Sequence, residues 1–228
     1  MILDPDNKYI QAINDHVPLT GATVLEIGCG TGRMTGDIAK YAAKVVATDR
    51  DETVLEQARR DITTENVEFI CTPDGFLDFP AQTFDLVSYT LSLHHIPPDK
   101  MVENLKHSGE LLKNGGKIIV IEPGNSGSYL EVKNRFGAGS GDESAVKAAA
   151  ISAMQNLDGW KLSPTYHFEV GFLFDDATDF YANKLPGYQE LPAEKRSKLR
   201  LILQQHTEPR GIILQSERHL NLLIRRFL

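Results

Sequence analysis

The stretch Val24–Arg33, VLEIGCGTGR, decides the fold. An apolar, β-branched run carrying one acid, Glu26, leads into three glycines, Gly28, Gly30 and Gly32, within five positions. A strand that turns sharply into a helix leaves several backbone N–H groups aimed at one spot, and glycine lets a ligand approach them without Cβ interference. The dinucleotide fingerprint G-x-G-x-x-G wants a third glycine where this chain has Arg33. A phosphate-binding P-loop fails more plainly, because no Gly-Lys-Ser/Thr follows.

Outward from the loop, strands and helices alternate. TVLEI (Thr23–Ile27), KVVAT (Lys44–Thr48) and VEFI (Val67–Ile70) are short and apolar, as buried strands are. A helix-length segment begins near Thr31, and DETVLEQARR (Asp51–Arg60) opens on a capping acid, with Val54, Leu55 and Ala58 on one face. FDLVSYTLSL from Phe84 and KIIVIEP from Lys117 are the fourth and fifth strands. Between them Met101, Leu105, Ser108 and Leu112 recur at helical spacing, and Asn114-Gly115-Gly116 supplies a stop. Such alternation predicts right-handed crossovers and a parallel sheet covered on both faces, an α/β fold.

After Pro123 the pattern changes. GNSGSYLEVKNRFGAGSGD is glycine-rich and weakly patterned, and ESAVKAAAISAMQNL then places Val146, Ala150, Ala153 and Leu157 on one helical face. YHFEVGFLF (Tyr166–Phe174) alternates like a strand, DATDFYANKL and AEKRSKLRLILQQ read as helices, and HLNLLIRRF closes the chain as a strand. The organisation expected is a single domain over 1–228. It comprises an N-terminal helix or cap at 1–20, a cofactor-binding core at 21–123, a recognition insertion or lid with strand six at 124–187, and a C-terminal helix and last strand at 188–228.

Composition narrows the class. With 228 residues, 41% hydrophobic and 24% charged, the chain suits a soluble globular protein with a substantial core. A net charge of −7 disfavours a general nucleic-acid binder. No uninterrupted apolar stretch is long enough for a membrane span, and MILDPDNKYI carries no leader pattern. The two cysteines, Cys29 and Cys71, make neither a disulfide framework nor a metal-ligand spacing. We therefore expect free thiols, no metal and a cytoplasmic location.

The residues now on the page resemble the class I S-adenosylmethionine-dependent methyltransferases. VLEIGCGTGR is similar to their motif I, and further matches follow in order over about residues 20–123. The resemblance implies a Rossmann-like, doubly wound sheet of seven mostly parallel strands with an antiparallel last strand. It places Asp49, with Arg50 beside it, at the ribose hydroxyls. It puts PDGF (Pro73–Phe76) at the adenine, with Asp74 taking the amino group and Gly75 or Phe76 offering backbone or ring contact. FDLVSYTLSLHHIP and LLKNGGKIIVIEP resemble the strand-four and strand-five segments. Thr90 joins the cofactor-binding set with Glu26, Gly28, Gly30 and Gly32. The chemistry is consistent: the methionine end of the cofactor offers a carboxylate to the loop amides and an ammonium to Glu26.

In an open α/β sheet, ligands lie beyond the carboxyl ends of the strands, which directs Tyr89, Thr90, His94, His95 and Glu122 toward the transferable methyl. Methyl transfer from a sulfonium is an in-line displacement served by alignment, and a base helps a hydroxyl, thiol or carbon acid. His94 and His95 are the catalytic candidates, against a reading in which His-His-Ile-Pro only shapes the loop. Thr90-Leu91-Ser92-Leu93 departs from the Pro-Pro motif of the adenine-N6 and glutamine-amide enzymes, no cysteine follows Cys71 as the RNA cytosine-5 enzymes require, and two thiols are few for arsenic methylation. What remains resembles the small-molecule branch that includes the ubiquinone and menaquinone methyltransferases.

Substrate recognition is expected between Gly124 and Gly187, where Tyr129, Arg135, Phe136, Met154, Trp160, Tyr166, His167 and Phe168 either line a pocket or are ordinary core. GAGSG is either a hinge or a slack connection. Lys195, Arg196, Lys198 and Arg200 form a solvated helical face or, as the sharper alternative, an RNA contact. The function expected is methyl transfer to a small molecule with S-adenosylhomocysteine as product. The alternatives are an RNA or protein methyltransferase, a non-catalytic binder of the same cofactor, and a nicotinamide dehydrogenase, which Arg33 argues against.

Overall fold

The computed structural model describes residues 1–139 and 141–226, in two compact units. The larger comprises Ile10–Glu122, Ser144–Tyr166 and His219–Leu228, and the smaller Met1–Tyr9, Pro123–Glu143 and His167–Arg218. Residues 124–187, read above as one recognition segment, are thus divided, since Ser144–Tyr166 belongs with the larger unit.

In chain order the strands are β1 Ile2–Leu3, β2 Thr23–Ile27, β3 Lys44–Asp49, β4 Val67–Cys71, β5 Phe84–Thr90, β6 Leu112–Pro123, β7 Trp160–Leu162, β8 Tyr166–Phe174, β9 Thr207–Glu208 and β10 Gly211–Arg225. Of the ten strands among the described residues, β1, β7 and β9 are only two or three residues long. The seven expected strands are the other seven. The helices are α1 Lys8–His16, α2 Arg33–Ala39, α3 Glu52–Asp61, α4 Met101–Leu111, α5 Ser128–Phe136, α6 Ser144–Gln155, α7 Ala177–Lys184 and α8 Ala193–Gln205.

The larger unit is the doubly wound layer. β2 pairs in parallel with β3 and β5, β3 with β4, and β5 with β6. Val24, Leu25, Val45, Val46, Leu86 and Val87 are fully buried, which is why these strands read as unbroken apolar runs. The registers Glu26↔Ala47, Glu26↔Ser88, Asp49↔Cys71 and Thr90↔Ile121 carry the acid of β2 and the ends of β3, β5 and β6 to one edge of the sheet. α3 is held at its start by Asp51, whose side chain accepts from Thr53 N at 2.8 Å.

Asn114-Gly115-Gly116 does not close α4. The helix ends at Leu111, and these residues lie within the long β6, at a register shift against β5. α6 packs on α4 and on a 3-10 turn at Leu93–His95, sharing a core of Leu93, Met101, Leu105, Ala150, Ala153, Met154 and Trp160. Met154 and Trp160, pocket candidates by sequence, are therefore core. A Cβ on Gly109 would lie 2.6 Å from Trp160 Cζ2, and the indole is wedged between this glycine and Arg225, whose Cζ is 5.2 Å from a Trp160 ring centroid. Gly109→Ala is expected to lower unfolding stability by about 1–3 kcal/mol through overpacking. Urea denaturation checks this, since an unchanged midpoint would show the ring yielding freely.

The smaller unit has its own core of Val132, Phe136, Phe172, Phe174, Phe180, Leu199, Leu203, Ile212 and Leu214. β1 pairs antiparallel with β8, and β9 with β10. α5 lies in a stretch whose glycine content hid it. Gly127, at φ +108, lets its backbone pass a point where a Cβ would meet Gln215 O at 2.4 Å, and Ser128 Oγ accepts from Gln215 N at 2.9 Å. Phe136 belongs to this core, whereas Arg135 is ion-paired with Glu131 at 2.5 Å. The last strand starts eight residues before His219, at Gly211, its first part in the smaller unit and its second in the larger. It runs antiparallel to β7 and β9, and ends at Arg225; Phe227, read as its end, lies outside the described residues. Ser140 of GAGSG also lies outside them, so a hinge there remains an expectation. On α8 Lys195, Lys198 and Arg200 are exposed, and Lys198 pairs with Glu194 at 2.6 Å.

Candidate active site

The glycine loop is built by its neighbours. Gly28 has φ +74, and a Cβ there would stand 2.5 Å from Ser92 Cβ, so the turn after β5 presses on the loop. Ser92 Oγ in turn donates to Ile27 O at 2.5 Å. Gly32 is closed off in the same way, with Ile62 Cδ1 at 2.6 Å from a would-be Cβ. Gly30 differs: at φ +55 its Cβ direction meets nothing within 4 Å. Of the three glycines, Gly30 leaves open space beside the backbone, while the other two admit packing.

Most of the loop amides are committed inside the protein. Gly28 and Cys29 N–H donate to Thr48 O at 2.8 and 2.9 Å, Gly32 N–H to Cys29 O at 3.0 Å, and Gly30 N–H to Asp49 Oδ2 at 2.8 Å. The expectation of several amides converging on one carboxylate is thereby narrowed to Thr31, whose amide takes part in none of these bonds. Asp49 also accepts from Asp51 N at 3.1 Å through Oδ1. Each of its oxygens keeps further acceptor capacity for hydroxyl donors.

Glu26 is 2% exposed and receives Thr35 Oγ1 at 2.6 Å. Burial raises its pKa to about 7, while the Thr35 bond and the Arg33 charge pull the other way. An acid so placed takes up its charge readily when a cation arrives. Open space at Gly30, the buried acid of Glu26 and the accepting pair on Asp49 together fit an amino-acid nucleoside bearing an ammonium and a diol. Arg50 and Asp74 are exposed and Thr90 is half-buried, with Oγ1 3.2 Å from Ser88 Oγ. Gly75, at φ +77, is held through its carbonyl by Asn104 Nδ2 at 2.7 Å, and Phe76 turns edge-on to His107, ring centroids 5.4 Å apart.

A buried acid–imidazole pair joins the turn after β5 to the end of β6. His94 is 4% exposed and Glu122 3%. Nδ1 of His94 is hydrogen-bonded to Glu122 Oε2, and His94 N–H donates to Glu122 Oε1 at 3.3 Å. In the tautomer that donates from Nδ1 to the carboxylate, Nε2 is the acceptor. His95 is exposed, its ring 4.1 Å from that of His94. Leu91, one residue past β5, has φ +58, strained for a residue with a side chain, and donates its N–H to Ile121 O at 2.8 Å.

Tyr89 does not join this group. Its hydroxyl bonds Asn104 Oδ1 and Ser108 Oγ, both at 2.6 Å, beneath α4, because alternation along a strand sends Tyr89 to the other face from Ser88 and Thr90. Tyr166 is 41% exposed beside His16, His167 is ion-paired with Glu217 at 2.8 Å, and Phe168 packs edge-on to Tyr9. Both cysteines are free thiols, and burial raises the Cys29 pKa. Ser92, Thr35 and Asn104 were missed by sequence: Ser92 lies in a quoted segment, but its contact with Ile27, like that of Asn104 with Gly75, is far along the chain, and Thr35 lies outside the quoted segments.

Parallel strands, an acid at the end of β3 and a glycine turn after β2 define an α/β layer of the doubly wound class. Comparison makes it particular: residues 24–116 match the methyltransferase domain family. The ubiquinone biosynthesis O-methyltransferase of Coxiella burnetii is 31% identical over 115 residues, 49% of this chain and 47% of that protein. The demethylmenaquinone methyltransferase of Lactococcus lactis is 34% identical over 110 residues, covering 46% and 43%. The chain thus spans about half the length of the curated relatives it matches. A structure from Bacillus halodurans described as a candidate methyltransferase superposes with TM-score 0.59 at 19% identity over 97% of this chain and 99% of that one, and shows the shared fold.

Proposed function

We propose that the chain transfers a methyl group from S-adenosylmethionine to a small molecule by in-line displacement, releasing S-adenosylhomocysteine. The observation that carries this is the buried His94–Glu122 pair, set at the same sheet edge as Glu26 and Asp49. The cofactor supplies an electrophilic methyl on its sulfonium. Glu26 accepts the ammonium, Thr31 N–H meets the carboxylate, Asp49 takes the ribose hydroxyls, and the Asp74–Gly75 turn meets the adenine. His94 Nε2 withdraws the proton of the acceptor as its oxygen attacks, and Glu122 is a positioning residue that fixes the tautomer and steadies the imidazolium. His95 shapes the turn. The names of the relatives support a small acceptor, and no helix among the described residues is long and apolar enough to cross a membrane.

Calorimetry with S-adenosylhomocysteine and NAD side by side tests the cofactor, and binding of NAD alone would overturn the reading. Asp49→Ala is expected to weaken S-adenosylhomocysteine more than tenfold, about 1.4 kcal/mol or more. The substitution removes both the diol acceptor and the tie to Gly30 N. An unchanged dissociation constant would make Asp49 a loop brace only.

A further inference from the structure

We propose that Arg218 and Lys184, with the rings of Phe172 and Tyr129 beside them, bind the oxyanion of a small ring-bearing acid in the smaller unit. This binding does not rest on the methyltransferase reading.

Arg218 is 4% exposed and its charge is permanent. The hydrogen bonds it makes go to neutral groups: Nε to Tyr9 Oη at 2.5 Å, Nη1 to Ser216 Oγ at 2.6 Å and to the Glu217 carbonyl at 2.8 Å. Nη2 enters none of these. Its Cζ stands 5.7 Å from the Phe172 centroid and 5.8 Å from that of Tyr9. The same Phe172 ring carries Lys184 Nζ at 5.1 Å, and Tyr129 lies 5.7 Å from that ammonium. Burial lowers the Lys184 pKa, and the Arg218 charge lowers it further. Among the described residues neither cation is ion-paired with a carboxylate; the nearby Glu143 pairs instead with Lys133 at 3.6 Å.

Contacts with ring faces return less than the burial of an unpaired ion costs. Two like charges sharing one ring are therefore an electrostatic deficit that an anion removes. A guanidinium with a free terminal nitrogen, next to an ammonium, suits the paired oxygens of a carboxylate or phosphate. Tyr129 and Phe172 are stacked at 4.2 Å with an interplanar angle of 21°, an aromatic pair beside the charges that suits a ring-bearing ligand. Gly139 holds the arrangement: its N–H donates to Lys184 O at 2.8 Å, and a Cβ there would sit 2.5 Å from the Tyr129 hydroxyl.

The test is calorimetric titration of the whole chain with benzoate, phenyl phosphate, inorganic phosphate and, as the neutral control, benzyl alcohol. Benzoate or phenyl phosphate is expected to bind, benzyl alcohol not, and the tighter of the two names the oxyanion. Lys184→Met, which leaves the buried Arg218 in place, is expected to weaken that binding at least tenfold while the melting temperature holds or rises. Arg218→Met is expected to abolish it. Failure of both ring acids to bind, binding of inorganic phosphate alone, or undiminished binding to Lys184→Met would overturn the proposal. A parallel titration with S-adenosylhomocysteine separates the two readings, because loss there alone overturns the methyltransferase reading and leaves the anion site standing.

Discussion

His94→Gln is expected to lower kcat by roughly 10²- to 10⁴-fold, the range of a positioned general base, while the dissociation constant for S-adenosylhomocysteine changes less than twofold. Glutamine keeps much of the side-chain volume and can still donate to Glu122, so the core around Leu93 and α6 stays closed. Nε2 is what disappears. Glu122→Gln is expected to cost about 10²-fold or more by a different route. An amide facing Nδ1 can donate to it, moving the imidazole proton to Nε2 and abolishing the acceptor that the carboxylate secures. Thermal melts and cofactor titrations of both variants, beside their kinetics, separate this role from mere structural support. A kcat within twofold of the parent for His94→Gln would show that alignment alone carries the reaction.

The second large effect concerns Glu26 and appears without any substrate. Its folded pKa of about 7 lies above the ordinary value of 4.5, so between those limits the folded chain binds more protons than the unfolded one. Stability from this group is therefore fully present below pH 4.5 and is lost as pH rises through 7, by about 3 kcal/mol at most. Glu26→Gln is expected to remove that slope, making the variant more stable than the parent at pH 8 and near-equal at pH 4.5, while weakening S-adenosylhomocysteine at least tenfold. Cofactor binding to the parent near pH 6.5 is expected to release a proton, read as a dependence of the calorimetric heat on the buffer's ionisation enthalpy. Equal pH slopes for parent and variant would contradict a buried, neutral Glu26.

The larger unit was legible because its signals are local. β2 is Thr23–Ile27 as read, since burial on both faces writes itself into consecutive residues; in the smaller unit α8 matches Ala193–Gln205, and β8, nearly all of it there, is Tyr166–Phe174 as read. α5 was hidden because Gly127 and Gly137 frame a short helix whose apolar face is only Val132 and Phe136. The start of β10 was missed although GIILQSER alternates toward its end, because Gly211 reads as a loop when its close approach to Phe174 O is unknown. The site was half legible. Glu26, Asp49, His94 and Glu122 were all named from sequence, but the pairing of the last two crosses 28 residues and follows from β5 lying beside β6. The use of loop amides by Thr48 and Asp49, and the inward turn of Tyr89, depend on contacts that no spacing announces.

The most direct test of methyl transfer is to incubate the purified chain with methyl-labelled S-adenosylmethionine and a cell extract, then fractionate the products into metabolites, RNA and protein. The account predicts label in the metabolite fraction, lost with His94→Gln. Label confined to RNA or protein, or no transfer at all by a chain that binds S-adenosylhomocysteine, would contradict it.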